Sequence, residues 1–134
     1  MSKFKDQMDA WVLKSKARTE AVFKQSAQFA AEEAQQPIAK GGRMPVDTGY
    51  LRNSFAADIG RTPSGRLISG TDNYSFNAVE AAIVRARVGE AIIFGWAANY
   101  APYMEARYAF ARSVIQSWDQ IVLRAIDQVK RGYR

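Results

Sequence analysis

MPVDTGYLRNSF, residues 44–55, is the stretch on which the fold turns. Its centre, Asp47-Thr48-Gly49, can be a loop that carries a reactive carboxylate or a backbone device that turns the chain. In the second case Asp47 hydrogen-bonds to amides one or two residues on, as an Asx-turn or N-cap, and Gly49 takes a backbone shape that side chains resist. Tyr50 and Leu51 then drop into the core, Arg52 points outward or pairs with Asp47, and the segment becomes a corner leading into a strand.

Working outward on the C-terminal side, residues 53–59 alternate Phe55, Ala57 and Ile59 against Ser54, Ala56 and Asp58, a period of two that predicts a strand. RTPSG, residues 61–65, is rich in turn formers and leads into RLIS, residues 66–69, which predicts a hairpin partner. Residues 77–88 place Val79, Ala82, Ile83 and Ala86 at helical spacing, with Gly89 as the expected cap. AIIFGWA, residues 91–97, is a near-continuous apolar run and predicts a strand with both faces covered, or one lying centrally in the sheet. From Tyr108 to Arg131, Phe110, Val114, Trp118, Ile121, Val122, Ala125 and Val129 mark one long helix.

On the N-terminal side, Phe4, Met8, Trp11, Val12, Val22, Phe23, Ala27 and Ala30 recur in steps of three and four, which predicts an amphipathic helix over residues 1–36. Pro37 disfavours helical geometry before it and ends the element. PIAKGGRMP, residues 37–45, predicts an exposed, mobile loop running to residue 46. Residues 47–107 form the sheet with its inserted helix, and 108–131 the C-terminal helix. The whole, 1–134, reads as one α+β domain, a small mostly antiparallel sheet packed by helices. Trp11, Trp96 and Trp118 are expected in its core.

Composition narrows the chemistry. The chain has no cysteine and no histidine, which removes disulfides, thiolate nucleophiles, cysteine-held metals and the commonest general base near neutral pH. No apolar run approaches the roughly 18 residues of a membrane span. MSKFKDQMDAW mixes charge into its apolar residues unlike a secretory signal, so cytoplasmic folding is expected. A net charge of +6 permits contact with nucleic acid, but the lysines and arginines are scattered and the aromatics do not interleave with them. A small basic nucleic-acid-binding domain is therefore the alternative function. Asp47 in a homodimeric aspartic protease is a remote one, opposed by the two long helical patterns and by Pro45, which cannot donate to a sheet ladder.

A second stretch, NYAPYMEARYAF at residues 99–110, follows the apolar strand; Asn99 offers a cap and Pro102 fits a first helical turn. Taken together, Pro45, Asp47, Thr48, Gly49, Leu51, Arg52 and Ser54 with Tyr100, Ala101 and Glu105 resemble the HK97 gp10-like family, tail-completion and neck proteins of long-tailed bacteriophages. Those proteins commonly have a glycine after the glutamate, where this chain has Ala106. The resemblance implies a virion structural protein with no catalytic residue, cofactor, metal or small-molecule substrate. It implies a homo-hexameric ring at the head-tail junction, as tail terminator or adjacent neck ring, touching connector and tail-tube proteins and letting DNA pass, with non-specific DNA contact in the channel. Asp47, Thr48, Gly49, Leu51, Arg52, Tyr100, Tyr103 and Glu105 are then motif or interface residues. Glu105 either pairs with Arg52 or both are independently solvated. The loop 37–45 and the turn 60–65 are expected contact surfaces.

Overall fold

The computed structural model describes residues 3–132; Met1, Ser2, Tyr133 and Arg134 lie outside the described residues. The elements are α1 (Lys3–Gln35), α2 (Tyr50–Asn53), β1 (Phe55–Ile59), α3 (Asn77–Arg85), β2 (Ile92–Trp96), α4 (Ala101–Tyr108), α5 (Arg112–Gln116) and α6 (Trp118–Gly132), with single 3-10 turns at Ile38–Lys40 and Thr71–Asn73. This is an α+β fold dominated by helix, and no helix among the described residues is long and apolar enough to cross a membrane.

β1 and β2 pair antiparallel, Phe55 opposite Trp96 and Ile59 opposite Ile92. That register puts Phe55, Ala57, Ile59, Ile92, Phe94 and Trp96 on one face, because strand side chains alternate. The face packs on Ala27 and Ala31 of α1 and on Val79 and Ile83 of α3. A second cluster joins Ala30 and Ala34 of α1 to Val114 of α5 and Ile121 of α6. Alanine on α1 at these positions lets three layers close on a thin helix. The third cluster gathers Met44, Leu51, Ala98 and Phe110 beneath α2 and α4. Trp96 borders all three clusters, its ring centroid 4.7 Å from Phe55 and 4.7 Å from Phe110.

The structure corrects the sequence reading of several elements. The expected hairpin between β1 and residues 66–69 does not form: Leu67 and Ile68 are exposed, and Asn53 Nδ2 donates to the carbonyls of Ile68 and Gly70 at 2.9 Å each, holding that stretch as an irregular loop. Residues 37–46 are largely exposed, as expected, but the segment is tied to itself by backbone hydrogen bonds. Ile38 N donates to Met44 O, Met44 N to Gln36 O and Gly42 N to Pro37 O, closing the loop on itself and burying Met44 completely. Helix α3 stops at Arg85, where Lys24 Nζ of α1 donates to the nearby Val84 carbonyl at 2.7 Å; Gly89 lies in the turn 87–90 beyond and caps nothing.

The last long helix is broken in two places. Ala109 is left-handed (φ 54°, ψ 40°), ending α4, and a bend at Ser117 separates α5 from α6. Ser117 Oγ donates back to Ser113 O at 2.9 Å, the kind of side-chain bond that bends helices. Finally, two of the three tryptophans are not core: Trp11 is 65% and Trp118 44% exposed.

Candidate functional site: the 45–54 corner and its partners

Thr48 and Gly49 make the corner. Gly49 is left-handed (φ 82°) at the N-cap of α2, and its carbonyl accepts from Asn53 N at 2.8 Å. A Cβ there would lie 3.1–3.2 Å from the backbone of Gly70 and Thr71, so two chain segments pass at a distance only glycine allows. Thr48 O accepts from Gly70 N at 2.6 Å, and Thr48 Oγ1 accepts from Tyr50 N at 3.3 Å. The hydroxyl of Thr48 therefore does what was expected of the Asp47 carboxylate. Asp47 is exposed and makes no hydrogen bond or ion pair with the described residues. The Asx-turn reading is corrected accordingly.

Leu51 is buried against Met44, Ala98 and Phe110. Ser54 is fully buried; its Oγ donates to Leu51 O at 2.7 Å and its carbonyl accepts from Ala97 N, extending the β1–β2 ladder.

Arg52 pairs with neither Asp47 nor Glu105. Its Nε donates to Gln35 O at 3.0 Å, and its guanidinium lies 3.7 Å from the centre of the Tyr74 ring. Helix α1 has no basic residue in its last turn, so Arg52 supplies the positive charge that a helix C-terminus favours. Gln35, which the sequence reading passed over, answers in kind. Gln35 Nε2 donates to Arg52 O at 2.9 Å, and Gln35 Oε1 accepts from Trp96 Nε1 at 2.8 Å. The signal was present in the helical phase: Gln35 follows Ala27, Ala31 and Ala34 on the buried face, where a glutamine needs fixed partners.

The second motif meets the first through Tyr100. Its ring stacks on Tyr50 at 5.9 Å, and Pro45, Asp47, Thr48, Gly49, Tyr50, Leu51, Tyr100 and Met104 line one hollow. Burial is the main cause holding the Tyr100 phenol above its ordinary 10.0; a hydrogen bond with the Leu51 backbone opposes this, while Tyr50 and the Asp47 charge reinforce it. The phenol is thus neutral at physiological pH. Tyr103, one turn on, is 80% exposed and takes no part in the hollow.

Glu105 points the other way along the chain. Its Oε1 accepts from Ala111 N at 2.8 Å and its Oε2 from Arg112 N at 2.9 Å, while its carbonyl accepts from Ala109 N. The carboxylate caps α5 and fixes the reversal at Ala109. Glu105→Ala is expected to destabilise the fold by about 1–2 kcal/mol, read by urea denaturation, because two amides at a helix start lose a charged acceptor.

The corner thus unites Asp47, Thr48, Gly49, Leu51 and Tyr100 around one hollow, and sends Arg52, Tyr103 and Glu105 to three other surroundings. No cluster of three or more carboxylates able to hold a metal occurs among the described residues. Compared with known proteins, the chain matches no family model, no curated protein and no solved structure.

Proposed function

We propose that this chain is a structural virion protein of a long-tailed bacteriophage, forming a homo-oligomeric ring, six copies in the nearest family pattern, at the head-tail junction. As tail-completion, terminator or neck protein it joins the tail tube to the connector and leaves a channel for DNA, after assembly in the host cytoplasm. The observation that carries the reading is the contact between the two motifs, Tyr100 stacked on Tyr50 at 5.9 Å beside the Gly49 turn. Stretches some fifty residues apart in sequence build one corner, as expected if both serve a single scaffold.

Mass analysis and immuno-electron microscopy of purified particles test the proposal: the chain should copurify with virions and label the upper end of the tail. Its absence from particles would overturn the reading. Asp47→Asn is expected to leave stability within about 0.5 kcal/mol of wild type, as exposed substitutions away from fixed partners do. Hydrolysis of a peptide substrate lost specifically in that variant would instead favour a protease. Binding of duplex DNA by the isolated subunit that falls steeply with salt would favour the nucleic-acid-binding alternative.

A further inference from the structure

The carboxylate of Asp47 takes no part in the turn that it marks. Thr48 Oγ1 takes the Tyr50 amide, and Gly49 supplies the left-handed backbone. Helix α2 is a single turn, too short for its dipole to account for a carboxylate three residues upstream. Asp47 is exposed and forms no ion pair with the described residues, although the chain carries 19 lysines and arginines against 13 acids. The cations nearest to it in sequence are both turned elsewhere. Arg52 has Nε on Gln35 O and its guanidinium over Tyr74, and Arg43 lines a separate hollow beside Glu32 and Glu33.

The hollow at Asp47 is walled by Tyr50, Tyr100 and Met104, and Asp47 is the only charged residue that lines it. Its volume, about 310 Å³, is at the floor of the ~300–1,000 Å³ of small-ligand pockets, room for one side-chain head and not for a nucleotide. Aromatic faces attract cations, and a carboxylate beside them adds to the attraction. Burial first, and the Asp47 charge with it, hold the Tyr100 phenol above its ordinary value, so the carboxylate is felt inside the hollow. A planar guanidinium can lie on a ring and offer its fork to a carboxylate at once, which an ammonium cannot. The chain already uses the first half of that pairing, Arg52 lying 3.7 Å from the Tyr74 ring centre and Arg124 4.4 Å from that of Phe29.

A second hollow of about 430 Å³ shares Pro45 and Asp47 with the first and is walled by Pro37, Ile38, Val46 and Tyr108. Here the guanidinium of Arg107 already lies 5.5 Å from the Tyr108 ring centre, so this side suits an apolar group better than another cation. We infer that the corner is a docking site for a protein segment carrying an arginine, whose guanidinium enters the tyrosine-walled hollow against Asp47 while a neighbouring apolar side chain covers the hollow beside it. A free small cation would fill only one of the two. The inference is independent of the phage reading: absence of the chain from particles would leave it standing, and failure of the titration below would leave that reading standing.

The test follows amide chemical shifts of the isotope-labelled full chain. Three probes are titrated: acetyl-Leu-Ala-Arg-amide, whose first and third side chains point the same way when extended; the same peptide with citrulline, the uncharged isostere, in place of arginine; and agmatine, a free guanidinium cation. The arginine peptide should move the amides of Val46, Thr48, Gly49 and Tyr50. The citrulline peptide should bind about fivefold more weakly, through loss of the ion pair and the ring contact. Asp47→Asn should erase that difference, and Tyr50→Leu, which keeps the charge and removes one ring, should weaken the arginine peptide about threefold. Equal affinity of the two peptides, or an arginine preference that survives Asp47→Asn in folded protein, would overturn the site. Agmatine binding as tightly as the arginine peptide would assign the hollow to a free small cation and overturn the docking segment. No shift at these amides with any probe at millimolar concentration would overturn both.

Discussion

Replacing Trp96 with alanine is expected to lower the unfolding free energy by about 3–5 kcal/mol, near the limit of what a domain this size withstands. The indole is the common wall of three apolar clusters, tilted against Phe55 and edge-on to Phe110. Its removal leaves a cavity that neither α1 nor the strand pair can collapse into without breaking the β1–β2 register. The cost has a polar share as well, because Gln35 Oε1 loses the indole N–H that it accepts at 2.8 Å. Trp96→Phe separates the two: it keeps most of the volume, loses the donor, and should cost about 1–2 kcal/mol. Urea denaturation of the three proteins, followed by circular dichroism, checks the ordering. A Trp96→Ala loss below that of Trp96→Phe would show that the clusters do not depend on a shared wall.

Gly42→Ala is the second large effect, expected at about 2–4 kcal/mol although it adds one methyl group to a surface loop. A Cβ at this position would lie 2.0 Å from the Gln36 carbonyl oxygen, a backbone atom with nowhere to go because it accepts from Met44 N. The loop must open, and opening it withdraws Met44, fully buried, from beside Leu51 and Phe110. A double-mutant cycle with Met44→Ala distinguishes this route from simple local strain. If the loop acts by seating Met44, the two losses will overlap and sum to less than their separate values.

How far the sequence revealed this fold depends on the kind of interaction involved. Helix α1 was read to within a residue or two, since thirty residues of apolar period and a proline stop are both local signals. Both strands were placed, but β1 was given the wrong partner, and β2, expected to be central or covered on both faces, is one half of a two-stranded sheet with Ile93 exposed. Proximity in sequence favoured Arg66–Ser69, whereas the pairing that buries one whole face is with β2, over thirty residues away. The breaks at Ala109 and Ser117 were hidden for a related reason: Phe110, Val114 and Ile121 keep helical spacing from just beyond the first and across the second, and what fixes the first is a side chain from Glu105 taking the amides of residues 111 and 112. At the corner the residue set was legible and the roles were not. Thr48 and Asp47 are both plausible caps by type, and only the geometry assigns the bond to the threonine. Arg52 found a carbonyl and an aromatic face, partners that charge counting does not consider.

Helix α1 has ends of unequal standing. From Ser26 to Gln35 its amides lie beneath packed layers; from Lys3 to about Ser15 none of the described residues is buried, and isolated helical segments shorter than ~12–15 residues are marginal in water. In the free subunit, hydrogen–deuterium exchange should therefore be fast at Asp9 and slower by orders of magnitude at Ala31, along one unbroken rod. Under the proposed ring, a neighbour covering this stretch would erase that gradient, so protection at Asp9 tests the proposal.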